Sequence, residues 1–154
     1  MKVGIRKVQE NEWLVHIGFA NMHLDRFSVE LLAITLEHVR ALEHGETHSI
    51  LNSYVQLALR IKELDDKGLQ RLTREVESQD LLELMVLAQD TDMNERILKN
   101  LGSMVAKQLR SDLIKADSVS ERAGKEAVKR VIETMFALET QGIIEFYNDT
   151  TQYI

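Results

Sequence analysis

Apolar and polar residues alternate in two short runs at the start of the chain, Lys2 to Lys7 and Trp13 to Phe19, separated by the polar stretch Gln9-Glu10-Asn11-Glu12. Period-two patterning broken by a polar turn predicts a β-hairpin, although no Asn-Gly dipeptide marks the turn. The period then lengthens. Leu31, Leu32, Ile34, Thr35, Leu36, Val39 and Leu42 recur at helical spacing after a cap at Asp25 or Ser28, which predicts a helix that stops near Gly45 and packs on the hairpin. A second helix is expected from Thr47 or Ser49 through Ile50, Leu51, Tyr54, Val55, Leu57, Ala58 and Ile61 to a boundary at Leu64-Asp65-Asp66.

Beyond that boundary the apolar runs become short and closely spaced. Asp65, Ser78 and Asp92 each stand just ahead of one, where a side-chain oxygen can accept from orphan N–H groups of a first helical turn. Several short helices in quick succession are the consequence. Ser118 or Ser120 then caps a last long helix whose Val128, Val131, Ile132, Met135, Phe136 and Leu138 form a wide apolar stripe ending at Gly142. The run Ile143, Ile144, Phe146 and Tyr147 reads either as a strand added to the hairpin or as a tail packed on the bundle. With no proline, helix ends must be set by Ser, Asp and Gly. No Gly/Ser-rich linker divides the chain, so the expectation is one compact unit with two subregions, 1–63 and 64–154, in a mainly α fold of the α+β type.

Composition narrows the function classes. The 154 residues suffice for one domain with its own core. Absence of cysteine excludes disulfides and thiolate metal sites and suits a reducing compartment, so a cytoplasmic location is expected. No apolar stretch approaches the roughly 20 residues that span a bilayer, and MKVGIRKVQENEW lacks the apolar run of a signal peptide. A formal net charge of -6 argues against phosphate-backbone binding. Neither nucleic acid nor membrane insertion is expected.

Little in the chain points to catalysis. His44 and His48, four apart with Glu43 and Glu46 nearby, are the one arrangement resembling a metal site, but Gly45 between them and the departure from His-Glu-x-x-His favour a solvated loop. His16 and His23 have no local carboxylate arrangement that suggests acid–base work. The acidic pairs Asp65-Asp66 and Glu75 with Glu77 fall at helix boundaries, where capping and the helix dipole account for them. Glycine-rich phosphate loops and nucleophile turns are missing. Met85, Met93, Met104 and Met135 read as core fillers in helices, although methionine-rich surfaces also bind partners.

The stretch LDDKGLQRLTREVESQDLLELMVLAQ followed by NERILKNLGSMVAKQLRSDL resembles the C-terminal domain of the flagellar motor switch protein FliG. The resemblance rests on Leu64-Asp65-Asp66, Gln70 to Val76, Ser78 to Leu82, Asn100-Leu101-Gly102, Arg110 to Leu113 and the ending Leu138-Glu139-Thr140-Gln141-Gly142, and reaches about Phe146. Met1 to about Gly45 carries none of these motifs. The resemblance implies a helical bundle, and in the family one helix bears a ridge of charges that meets the motor's stator, an arrangement suited to specificity and steering.

Aligned through Leu81-Leu82 and Asn100, the family's two basic positions fall on Val86 and Met104. Its adjacent aspartates fall on Ser111 and Asp112, and its later arginine falls near Ser120. Asp112 alone of the five keeps its charge. A register shifted by one through Asp90 to Asn94 would bring Lys107 and Arg110 into these roles instead. The family's Met-Phe-Val-Phe hinge is replaced by VQLALRIKE, which reads as continuous helix. Apolar residues in place of charges imply a different kind of partner surface. The expectation is a non-enzymatic, cofactor-free adaptor or regulator that binds another protein, of the flagellar or motility apparatus, through Val86, Met104, Lys107, Ser111 and Asp112, with self-association open. A working motor switch component that contacts the stator is the first alternative, and a small metal-dependent enzyme using His44 and His48 the second.

Overall fold

A computed structural model describes residues 1–147. The chain divides into two compact units, residues 1–53 and residues 54 onward, with the division falling inside one helix.

In the first unit, β1 (Val3–Gln9), β2 (Glu12–Ile17) and β3 (Ala20–Asp25) form an antiparallel sheet in that order. The expected hairpin therefore carries a third strand. Asn11 makes the first turn with φ 60°, and Gly18 makes the second with φ 62°, its N–H donating to the Lys2 carbonyl at 2.7 Å. Both positions need the left-handed region, which glycine and asparagine enter at low cost. The register sets Val3 opposite Ile17 and Ile17 opposite Ala20, and likewise Ile5, Val15 and Met22. Because strand residues alternate sides, these six share one face with Lys7, Trp13 and Leu24.

α1 (Arg26–Ala41) starts where Asp25 accepts from the Ser28 N–H at 2.8 Å, and it packs on β2 and β3. Val15 and Phe27 are the buried apolar residues of this unit. A buried Ser53 hydroxyl, at the start of α2 (Ile50–Ala58), lies 3.1 Å from Thr35 Oγ1 and 2.6 Å from His48 Nε2.

The second unit is all helical. After Ala58 the α-helix tightens into a 3-10 turn, Leu59–Glu63, so the stretch read as continuous helix changes its winding. Burial explains why. Ala58, Ile61 and Leu64 are all buried and recur every third residue, which one face accommodates at three residues per turn. Arg96 donates to the Lys62 and Leu64 carbonyls that this turn leaves without helical partners.

α3 (Asp66–Glu75), α4 (Ser78–Ala88), α5 (Thr91–Lys99), α6 (Ser103–Lys115) and α7 (Glu121–Thr140) follow. Asp65 caps α3 by accepting from the Gly68 N–H, and Ser120 caps α7 by accepting from the Ala123 N–H. Two cap expectations shift. Glu77 rather than Ser78 holds the cap position of α4, without a side-chain bond, and Asp90 rather than Asp92 caps α5, accepting from the Met93 N–H at 2.8 Å. Lys62 Nζ lies 3.2 Å from Asp90 and 3.5 Å from Asp92, so it pairs with both carboxylates.

α7 supplies the centre of the core. Val128, Val131, Ile132 and Met135 are fully buried, and α7 packs chiefly on α4. The helices approach closely at Gly124, where a Cβ would come 2.5 Å from Leu87 Cδ1. Met85, Met93 and Met135 fill the core as expected, whereas Met104 is 85% exposed.

At the end of α7, Gly142 takes φ 73°, the Gly142 N–H donates to the Glu139 carbonyl, and the Ile143 N–H donates to the Leu138 carbonyl. This paired reversal satisfies the last carbonyls and needs a residue without a Cβ. Residues 143–147 form no strand. They pack as a tail: Ile144 is buried, the Arg60 guanidinium lies 4.1 Å from the Phe146 ring, and the Tyr147 N–H donates to the Glu63 carbonyl at 2.7 Å.

Candidate functional site

α4 and α6 leave an open groove of about 370 Å³ between them. α4 contributes Ser78, Gln79 and Leu82, and α6 contributes Met104, Val105, Gln108, Leu109 and Asp112. At helical spacing, Met104, Gln108 and Asp112 stand one above another, so one edge of the groove grades from a thioether to a carboxylate. Gln108 donates to Asp112 Oδ1 at 2.8 Å, which orients that carboxylate. Leu109 is buried at the floor, and Met104 and Val105, 85% and 42% exposed, stand on the rim. Such a surface is apolar at its middle, with Ser78 and Gln79 of α4 and Gln108 and Asp112 of α6 as polar margins. It suits the apolar side chains of another protein better than a charged ligand.

The structure brings two of the five sequence-derived binding residues, Met104 and Asp112, into this groove. Val86 stands one turn beyond Leu82 on α4, half-buried and outside the groove lining. Lys107 and Ser111 lie about 60° and 20° around α6 from Met104, on the side away from Val105. Of the other lining residues, Leu82 and Gln108 sit at i, i+4 from residues singled out from the sequence. Arg110 is paired: its guanidinium holds Glu95 at 2.9 Å, lowering the Glu95 carboxyl below and raising the arginine above their ordinary ranges.

A second groove, of about 550 Å³, runs beside α7 and contains a bidentate ion pair. Arg130 Nε and Nη2 donate to Asp80 Oδ2 and Oδ1 at 2.9 and 2.8 Å. This hydrogen bonding raises the arginine's pKa, and the carboxylates of Glu126 and Glu83 add to the effect. Arg71 pairs with Glu75 at the groove's other end. Mutually neutralised charges of this kind hold helices together rather than reach for a ligand.

The residues weighed for chemistry have structural partners. Asp65 caps α3, and Asp66 accepts from Asn100 Nδ2 at 3.1 Å. His44 and His48 both lie in the loop between α1 and α2, where His48 contacts Ser53 and its ring stands edge-on to His38 at 5.0 Å. Among the described residues no group of three or more His, Cys, Asp or Glu side chains is placed to hold a metal ion. No helix among them is long and apolar enough to cross a membrane.

A family profile for the FliG C-terminal domain matches residues 35–146, from the second half of α1 to the tail after α7. The chain belongs to this family. The match takes in α2 and the 3-10 turn, which precede the motif-bearing stretch from Leu64, and leaves the β-sheet outside the FliG-like region. Among curated proteins, the flagellar motor switch protein FliG of Borreliella burgdorferi is 28% identical over 81 residues. That stretch is 53% of this chain and 23% of the FliG protein, so the chain spans about a quarter of the relative it matches.

Proposed function

We propose that this FliG C-terminal-domain protein is a non-catalytic adaptor or regulator of the flagellar apparatus that binds another protein through the α4–α6 face. The observation that carries the reading is Met104, 85% exposed on the rim of an apolar groove, at a position where the family resemblance expects a basic residue. Val86 extends that apolar character along α4, and Ser111, Asp112 and Lys107 form a polar border. A surface of this composition loses little affinity with salt, whereas the family's charged ridge works through screened electrostatics.

The experiment is a pull-down from the native host with wild-type, Met104→Asp and Val86→Asp chains, at low and high salt. The expected result is a captured flagellar protein that persists at high salt and is lost with Met104→Asp, while circular dichroism stays unchanged. Capture untouched by both substitutions would sink the reading. Capture that disappears steeply with salt and depends on Lys107 would support instead a motor switch component contacting the stator.

A further inference from the structure

A cavity of about 450 Å³ opens where the ends of α3 and α5 meet the starts of α4 and α6. Two cations line it, Arg74 from the last turn of α3 and Lys99 from the last turn of α5, among the neutral groups of Gln70, Ser78 and Asn100. Among the described residues no carboxylate joins the lining, and the Asp66 carboxylate beyond it accepts from Asn100 Nδ2. Both cations are exposed, and neither has an ion-pair or hydrogen-bond partner among the described residues, whereas Arg71, Arg110 and Arg130 on α3, α6 and α7 are paired. Neither is one of the ridge positions that the family resemblance marks. We propose that this pocket takes a side-chain carboxylate from an acidic, apolar protein segment lying in the α4–α6 groove. The inference rests on that groove as the partner-binding face and names the chemistry of what it binds.

Continuity points to a protein segment as the occupant. Ser78 and Val105 line both the pocket and the groove, so the cationic pocket opens directly onto the apolar surface. An occupant that fills both must carry apolar side chains and an anion together, as a protein segment does and a free phosphate does not. A cation in the last turn of a helix complements the helix dipole, but the dipole sets no direction around the helix axis. Here both side chains line one cavity.

Charge fixes which way the segment lies. Asp112 stands at the far end of the groove, about 10 Å along α6 from Val105 at about 1.5 Å per residue. A partner carboxylate is repelled there and attracted between Arg74 and Lys99, so one orientation is favoured. The Arg74 fork can meet a carboxylate with two parallel bonds, and Lys99 adds a second positive charge. With a formal net charge of -6, the chain as a whole repels a polyanion such as nucleic acid, which leaves a single carboxylate as the fitting anion. The apolar groove carries most of the affinity, and the carboxylate supplies direction.

Selection of phage-displayed random peptides of about twelve residues on the full chain tests it, a length that spans about 18 Å as a helix. The expected peptides carry apolar anchors and at least one acidic residue. Arg74→Gln/Lys99→Gln should weaken their binding about three- to tenfold in about 0.05 M salt and by less in about 0.5 M salt, whereas Met104→Asp weakens it in both. Should the double variant alter the circular dichroism, Lys99→Gln alone takes its place. Binding lost through Lys99→Glu should return when lysine replaces the acidic residue of the peptide, a swap that misfolding cannot mimic. Selected peptides without acidic residues, lost with Met104→Asp but indifferent to Arg74→Gln/Lys99→Gln, overturn the inference and leave the groove reading standing. Acidic peptides that need Arg74 and Lys99 but ignore Met104→Asp uphold the carboxylate pocket and overturn the groove reading. Failure to select any peptide, or displacement of the peptides by inorganic phosphate at constant ionic strength, overturns the inference.

Discussion

Replacing Arg130 by methionine is expected to destabilise the helical unit by about 2 kcal/mol, although the residue lies at the surface. Its side chain is 56% exposed, but the Asp80 carboxylate that it holds is only 8% exposed. Exposed ion pairs contribute about 0–1 kcal/mol, and breaking a fully buried pair costs about 3–5 kcal/mol. This pair is buried at one end, and its two bonds are charge-assisted, a type that contributes about 1.5–3 kcal/mol, so a middle value applies. Methionine keeps an unbranched apolar stem at position 130 while leaving a buried carboxylate without its donor.

For a bundle of this size about 4–8 °C in Tm accompanies each kcal/mol, so Arg130→Met should melt roughly 8–16 °C below wild type. Asp80→Asn should cost less, since no uncompensated charge remains, though it forfeits about 0.3–1 kcal/mol of favourable charge in the first turn of α4. A double-mutant cycle with Asp80→Asn/Arg130→Met, read by urea denaturation, isolates the pairing. The double variant should be clearly more stable than the sum of the singles implies. If Arg130→Met lies within about 0.5 kcal/mol of wild type, or the singles add, the pair is an ordinary surface contact and the reasoning fails.

Gly142→Ala should cost about 1 kcal/mol or more, since φ 73° penalises a Cβ even though open space surrounds the site; equilibrium denaturation showing no loss would contradict the αL termination of α7. The Asp90 carboxyl is held below its usual range first by the Met93 N–H and then by Lys62. A depressed folded pKa gives stability that is present above the unfolded value and lost as pH falls through the folded one. Wild type should therefore lose its advantage over Asp90→Asn as pH drops from about 5 toward 2, and a gap that stays constant in urea titrations across that window would exclude the linkage.

Local chemistry made much of the helical unit legible. Asp65, Ser120 and Gly142 each perform the role their type and position suggest, because capping and chain reversal depend on a few adjacent residues. Asp90 and Asp92 show where that reading runs out. Both stand near the start of α5, and each is also paired to Lys62, a residue distant in sequence that only the fold brings near. The Asp80–Arg130 pair has the same origin. The third strand carries a sequence signal of its own, since Ala20-Asn21-Met22-His23-Leu24-Asp25 alternates without a break after the turn glycine Gly18. Asp25 ends that strand and caps α1 at once, so strand and helix signals meet on one residue. In the α4–α6 groove, Met104 and Asp112 followed from single-residue comparison, whereas Leu82 and Gln108 required knowing which faces the two helices turn toward each other.

The tail after α7 bears on how this bundle is used. Tyr147 bonds to Glu63 and Phe146 lies under Arg60, so the last described residues are fastened to the 3-10 turn near the start of the helical unit. A contact that ties the two ends of the bundle together closes it on itself, much as a bead is held by a single clasp. That property makes the bundle a portable cassette. It fits a stretch that forms 23% of a FliG protein in Borreliella burgdorferi and is matched here after a β-sheet that lies outside the family match.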